Sequence, residues 1–175
     1  METTLFYSAA IGFVTLTAII YFLVLLEFKK ALEKTVWDAR RKNKIYDRVL
    51  YSVAGWTIFI STLSITGFFQ DFSIFPPRLM VVLIIPLITI LTITFSKTTK
   101  ELLPFIPAKS IVRLQAFRVF VEILLWLLFI QNIAPVQMPA NTIVTRFPFV
   151  WLPGLLVPLA YGLHFLSLWK LSLNK

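Results

Sequence analysis

The stretch LQAFRVFVEILLW, residues 114–126, decides how this chain is read. It is greasy enough for a buried or membrane-crossing helix, yet it carries Arg118 and Glu122 four residues apart, with Gln115 one turn before Arg118. At helical spacing these three side chains share one face. Whether the run crosses a bilayer sets the number of spans. The direction its polar face takes sets where function is sought.

Extended from Ser110 to Gln131, the run holds 14 Leu, Ile, Val and Phe residues. Each favours insertion by about 0.3–0.6 kcal/mol at mid-span, or about 4–8 kcal/mol together. Arg118 and Glu122 oppose insertion by about 2.5–3.5 kcal/mol each. The balance is close to zero, so the segment is expected to insert beside other helices with its polar face turned into the bundle. A helix entering near Ser110 places Arg118 about 12 Å and Glu122 about 18 Å along its axis.

The rest of the chain argues for a membrane more directly. Of 175 residues, 58% are apolar and 14% charged, with a mean hydropathy of +0.84. A soluble domain of this size cannot hide so much apolar surface. About 20 apolar residues span the hydrocarbon of a bilayer. Charge-free blocks at 3–26, 49–70 and 147–169 reach that length, and 79–96 just qualifies. With 110–131 they make one all-α domain over 1–175, a bundle of five transmembrane helices.

Counting cations orients it. Fourteen Lys and Arg residues fall on one side of such a bundle, eight of them between Lys29 and Arg48, against Arg78 and Arg146 on the other. The positive-inside rule puts the N-terminus outside and the C-terminus in the cytoplasm. The net charge of +9 then reflects topology and contact with anionic headgroups, and no nucleic-acid partner is expected. The first block follows a single charge, Glu2, and is too long for a cleaved leader, so it reads as a permanent anchor.

Between the first two spans, residues 27–48 lack Pro and Gly and set Glu27, Lys30, Lys34, Asp38 and Lys42 at helical spacing. A helical cytoplasmic hairpin is expected, turning near Lys42–Lys44 and lying on headgroups or docking a partner protein. Pro76 and Pro77 should end one helix and start the next. The apolar LLPFIP (102–107), broken by Pro104 and Pro107, should lie in the membrane interface. Pro148, Pro153 and Pro158, with Gly154 and Gly162 nearby, should open the last span near 153–158 or let helices approach closely.

Chemistry-bearing motifs are few. There is no cysteine, one histidine (His164), no H-E-x-x-H, no Gly-rich phosphate loop and no G-x-S-x-G. No disulfide, metal site, cofactor or catalytic residue is expected.

The pattern L-Q-x-F-R-x-x-V-E-x-x-L-W, at Leu114, Gln115, Phe117, Arg118, Val121, Glu122, Leu125 and Trp126, is followed by P-x-x-M at Pro135–Met138. It resembles the central signature of a family of small multispanning bacterial inner-membrane proteins with no known activity. The resemblance implies an inner-membrane location and draws attention to Arg118 and Glu122.

Two functional readings follow. In the first, a buried polar site of Gln115, Arg118 and Glu122 recognises a small molecule, a lipid headgroup or an ion, with transport as one use. In the alternative, the protein is a structural or accessory subunit of a larger membrane complex. Expected partners are the bilayer, anionic headgroups on the cytoplasmic side, and a second copy or another membrane protein. An enzyme acting on lipid is disfavoured by the lack of a second in-membrane acid or a histidine cluster.

Overall fold

The charge-free blocks become helices in a computed structural model of the chain, which describes residues 2–71, 78–130 and 142–172, apart from the side chains of 2–6, 127–130 and 142. Pro76, Pro77, Pro135, Met138 and Gln131 lie outside the described residues. Every regular element among the described residues is helical. In chain order the α-helices are α1 (Glu2–Glu33), α2 (Ala39–Ile65), α3 (Leu79–Thr94), α4 (Lys97–Leu102), α5 (Ala108–Gln115), α6 (Phe117–Ile130) and α7 (Val157–Ser172). A π-helical turn, Leu152–Leu156, leads into α7.

Among the described residues, three helices are long and apolar enough to cross a membrane: Tyr7–Glu33, Ala39–Ile65 and Leu152–Ser172. A fourth joins them if Leu79–Thr94 and Lys97–Phe105, bent by 52° at their junction, count as one span. Large apolar side chains such as Ile11, Phe22, Ile58, Phe59 and Ile88 stand exposed on the outside of the bundle. That surface suits hydrocarbon and is costly in water.

When the exterior is apolar too, burial alone discriminates little, and close packing and interhelical hydrogen bonds hold the helices together. Phe13 of α1 meets Phe149 with ring centroids 5.4 Å apart, in a core that includes Phe117, Val121 and Leu156. A Cβ at Gly162 would lie 2.6 Å from Ile90 Cγ2, so the glycine is what lets α7 press against α3. Gly154 does the same where Ile60 and Val82 converge, each 2.8 Å from a Cβ placed there.

The last span opens where its prolines predict. Val157 N–H reaches back to the Leu152 carbonyl, the wider winding of a π turn. In a regular helix the residue at 158 would donate to the Gly154 carbonyl, but Pro158 has no N–H. Trp56 Nε1 on α2 donates to that carbonyl instead, at 2.9 Å. Nearby, Trp151 Nε1 donates to Ser61 Oγ at 2.9 Å and Ser64 Oγ to the Thr145 carbonyl at 2.8 Å, so α2 is stitched to the segment before α7 at three points.

The hairpin differs from its expected form. The chain turns at 34–38, not at Lys42–Lys44. Thr35 Oγ1 donates to the Leu32 carbonyl at 2.6 Å and closes α1. The Asp38 carboxylate accepts from Arg40 N–H at 3.1 Å and starts α2 as an N-cap. The hairpin also docks, because Ala31 and Leu32 are buried against Leu102 and Arg41 Nη2 pairs with Glu101 at 2.9 Å.

LLPFIP also packs partly into the protein. Pro104 sits in a 3₁₀ turn, Leu103–Phe105, and Pro107 is the N-cap of α5, so the prolines break the helix as expected. Leu102 and Leu103 are nonetheless buried in protein. Lys170 Nζ of α7 donates to the Leu103 and Pro104 carbonyls at 2.9 and 3.0 Å, which satisfies backbone that the prolines leave open.

Candidate functional site

Two contacts fix how α5 and α6 lie against α1. Glu27, the first residue past the apolar run of α1, has its carboxylate 3.5 Å from Arg113 Nη2 on α5. Near the other end, a Cβ on Gly12 would meet Leu124 of α6 at 3.7 Å. The helices are therefore antiparallel, and Arg118 and Glu122, lying between Arg113 and Leu124 in sequence, run alongside the apolar middle of α1.

Glu27 anchors the charged end of this pair of helices. Lys30 Nζ also donates to its carboxylate, at 3.0 Å. A groove of about 430 Å³ runs from there between α1 and α5–α6, with Lys30 and Arg113 at one end and Phe117 and Phe120 further along.

The three polar residues singled out in the sequence do not stay together. Gln115 turns inward, and its Nε2 donates to the Leu163 carbonyl of α7 at 3.1 Å. The chain then winds tightly through Ala116, whose N–H bonds the Arg113 carbonyl at 3.1 Å while Val119 N–H bonds the Ala116 carbonyl at 3.2 Å. These i→i−3 bonds are 3₁₀ in character and change the rotational phase between α5 and α6. Phe117 and Val121 take the inward positions of α6 and are buried.

Arg118 and Glu122, each one residue further round, are exposed on the outside of the bundle with Val119, Phe120, Ile123 and Trp126. The expectation of a polar face turned into the bundle is thereby corrected. The physical reason is competition for one inward face, which the phenylalanine and valine fill. Nor do the two charges neutralise each other. The ion pairs among the described residues are Lys30–Glu27, Arg41–Glu101, Arg78–Asp71 and Arg113–Glu27, and none joins Arg118 to Glu122.

Sequence reasoning missed a second arrangement. Between α2, α3 and α7 lies an apolar groove of about 350 Å³, and at one end it meets Arg48 and Ser52. Arg48 and Ser52 are shared with an adjoining shallow depression on α2, where Arg40, Lys44 and Arg48 recur every four residues. That recurrence was visible in the sequence as part of the basic hairpin, but not the groove beside it.

No group of three or more His, Cys, Asp and Glu residues able to hold a metal ion occurs among the described residues. His164 is exposed on α7, its ring 6.3 Å from that of Phe165. Set against known proteins, no family model, no curated relative and no solved structure matches the chain.

Proposed function

We propose that this is a five-span membrane protein of the bacterial inner membrane, N-terminus outside and C-terminus in the cytoplasm, that works as a subunit of a membrane assembly. The observation that carries the reading is the exposure of Arg118 and Glu122 on the outer face of α6, level with the apolar middle of α1. Hydrocarbon offers such groups no partner, and each costs about 2.5–3.5 kcal/mol at mid-span. A facing protein helix with complementary polar groups removes that cost. Val119, Ile123 and Trp126 around the pair supply apolar contact for the same helix.

This favours the accessory-subunit reading over a ligand site enclosed within one chain. Gln115 belongs to the internal packing, through its bond to α7. The polar face on α6 is then an interface whose charges fix depth and register between subunits.

The chain contains no cysteine, so single-cysteine variants report without background. Val119→Cys, Ile123→Cys and Trp126→Cys in native membranes, treated with a short membrane-permeant crosslinker, are expected to give a discrete adduct of higher mass. Ile58→Cys, exposed on α2, should give none. Adducts absent at all three α6 positions would exclude the reading. The adduct mass tells a second copy from a different protein.

A further inference from the structure

We infer that the groove between α2, α3 and α7 seats an anionic phospholipid of the cytoplasmic leaflet, with its phosphate on Arg48 and Lys44 and an acyl chain lying toward Trp56 and Pro86. The inference is separate from the interface on α6.

Two surfaces of opposite character meet there. Val53, Trp56, Ile85, Pro86 and Ile90 line an apolar channel that starts beside Arg48. Arg48 and Ser52 also line a shallow depression with the charged residues Arg40, Lys44 and Asp47 and with Asn43 and Tyr51. From Arg48 to Trp56 the channel follows α2 for eight residues, about 12 Å, which is chain-like in length and not headgroup-like. An amphiphile fits this sequence of surfaces; a wholly polar or wholly apolar ligand fits half of it.

Charge decides the headgroup. Arg40, Lys44 and Arg48 lie along one face of α2 and are opposed within the depression by Asp47 alone. None of the three makes an ion pair among the described residues, and Lys44 and Arg48 make no side-chain hydrogen bond there either. The unpartnered Arg48 guanidinium at the mouth of the apolar channel, with the Lys44 ammonium one helical turn away in the adjoining depression, complements a phosphate. They also sit on the side that the cation count makes cytoplasmic, where anionic lipid is enriched.

Packing explains why the channel exists. α3 follows α7, held close by Gly162, while α2 is tied to the π turn through Trp56 and Gly154. A gap is left between α2 and α3, and Gly154, Leu155 and Pro158 lie along it.

The test uses the full chain in phosphatidylcholine vesicles containing a small fraction of phosphatidylglycerol that carries a diazirine on one acyl chain. A phosphatidylcholine probe with the same diazirine chain serves as the match. Adducts of the anionic probe should concentrate on Val53, Ile85 and Thr89 and exceed those of the neutral probe. Arg48→Gln and Lys44→Gln should each lower that excess by about fivefold, the worth of one cation near an anionic headgroup. Lys44 is exposed, so its variant decides even if Arg48→Gln fails to fold. Equal labelling by the two probes, adducts spread evenly onto Ile58 and Phe59, or an undiminished excess in Lys44→Gln would each overturn the inference.

Discussion

Glu27 and Arg113 stand 3.5 Å apart where α1 leaves its apolar run and α5 enters its own. This pairing sets the register of α6 against α1 and so brings Arg118 and Glu122 beside apolar residues. The Arg113 side chain is 68% exposed, so the pair acts as a marker of register more than as a source of stability. Glu27→Gln is expected to change thermal unfolding in detergent by less than about 1 kcal/mol.

Arg118→Leu and Glu122→Leu separate folding from assembly. Because both side chains are exposed and unpaired with each other, each variant should unfold in detergent within about 0.5 kcal/mol of the parent chain. In native membranes each should lower the yield of the crosslinked species formed through Ile123→Cys. A loss of several kcal/mol in the detergent-solubilised single chain would mean the charges are internal after all.

Gly162→Ala should destabilise by about 1–3 kcal/mol, since the added methyl meets Ile90 Cγ2 at 2.6 Å. Ile90→Ala in the same chain frees that space and should return part of the loss. The two changes measured singly and together by thermal unfolding give the coupling between α3 and α7.

Trp56→Phe removes the donor to the Gly154 carbonyl and should cost about 1–2 kcal/mol. Pro158→Ala offers that carbonyl a backbone N–H, so Trp56→Phe should cost less in the Pro158→Ala chain than in the parent. Equal cost in both backgrounds would show that the indole bond does not replace the missing helical one.

How far these relations were legible in the sequence depends on how local their causes are. The charge-free blocks became helices because length and composition act within each segment. The opening before α7 was readable because Pro158 removes a specific donor wherever it stands. The turn at 34–38 was signalled by Thr35 and Asp38, a closing hydroxyl and an N-cap. Charge spacing through Lys42 obscured it, because side-chain pairs are worth less than a cap. The burial of Leu103 and the capping role of Lys170 depend on α7 folding over the LLPFIP turn, 67 residues away, and no local signal announces it. The outward turn of Arg118 and Glu122 was hidden by the assumption of even winding through Ala116. Two shortened hydrogen bonds there, with Phe117 and Val121 competing for the core, reorient the face.

Topology is checked by reporter fusions. A reporter active only outside the cytoplasm should work at the N-terminus and after Asn141, and should be silent within the 34–38 turn and after Lys175, as the distribution of 14 cations against 2 requires. Activity in the turn would reverse the proposed orientation and remove the cytoplasmic-leaflet ground for the proposed lipid site.

The most direct measurement of the central claim, that protein and not lipid covers α6, is photolabelling of native membranes with a small lipid-soluble diazirine followed by peptide mapping. Ile58 and Phe59, exposed on α2, should be labelled heavily, while Val119, Ile123 and Trp126, equally exposed in the single chain, should be protected. Labelling of those α6 residues to the level of Ile58 and Phe59 would contradict the account, because Arg118 and Glu122 would then face lipid with no partner.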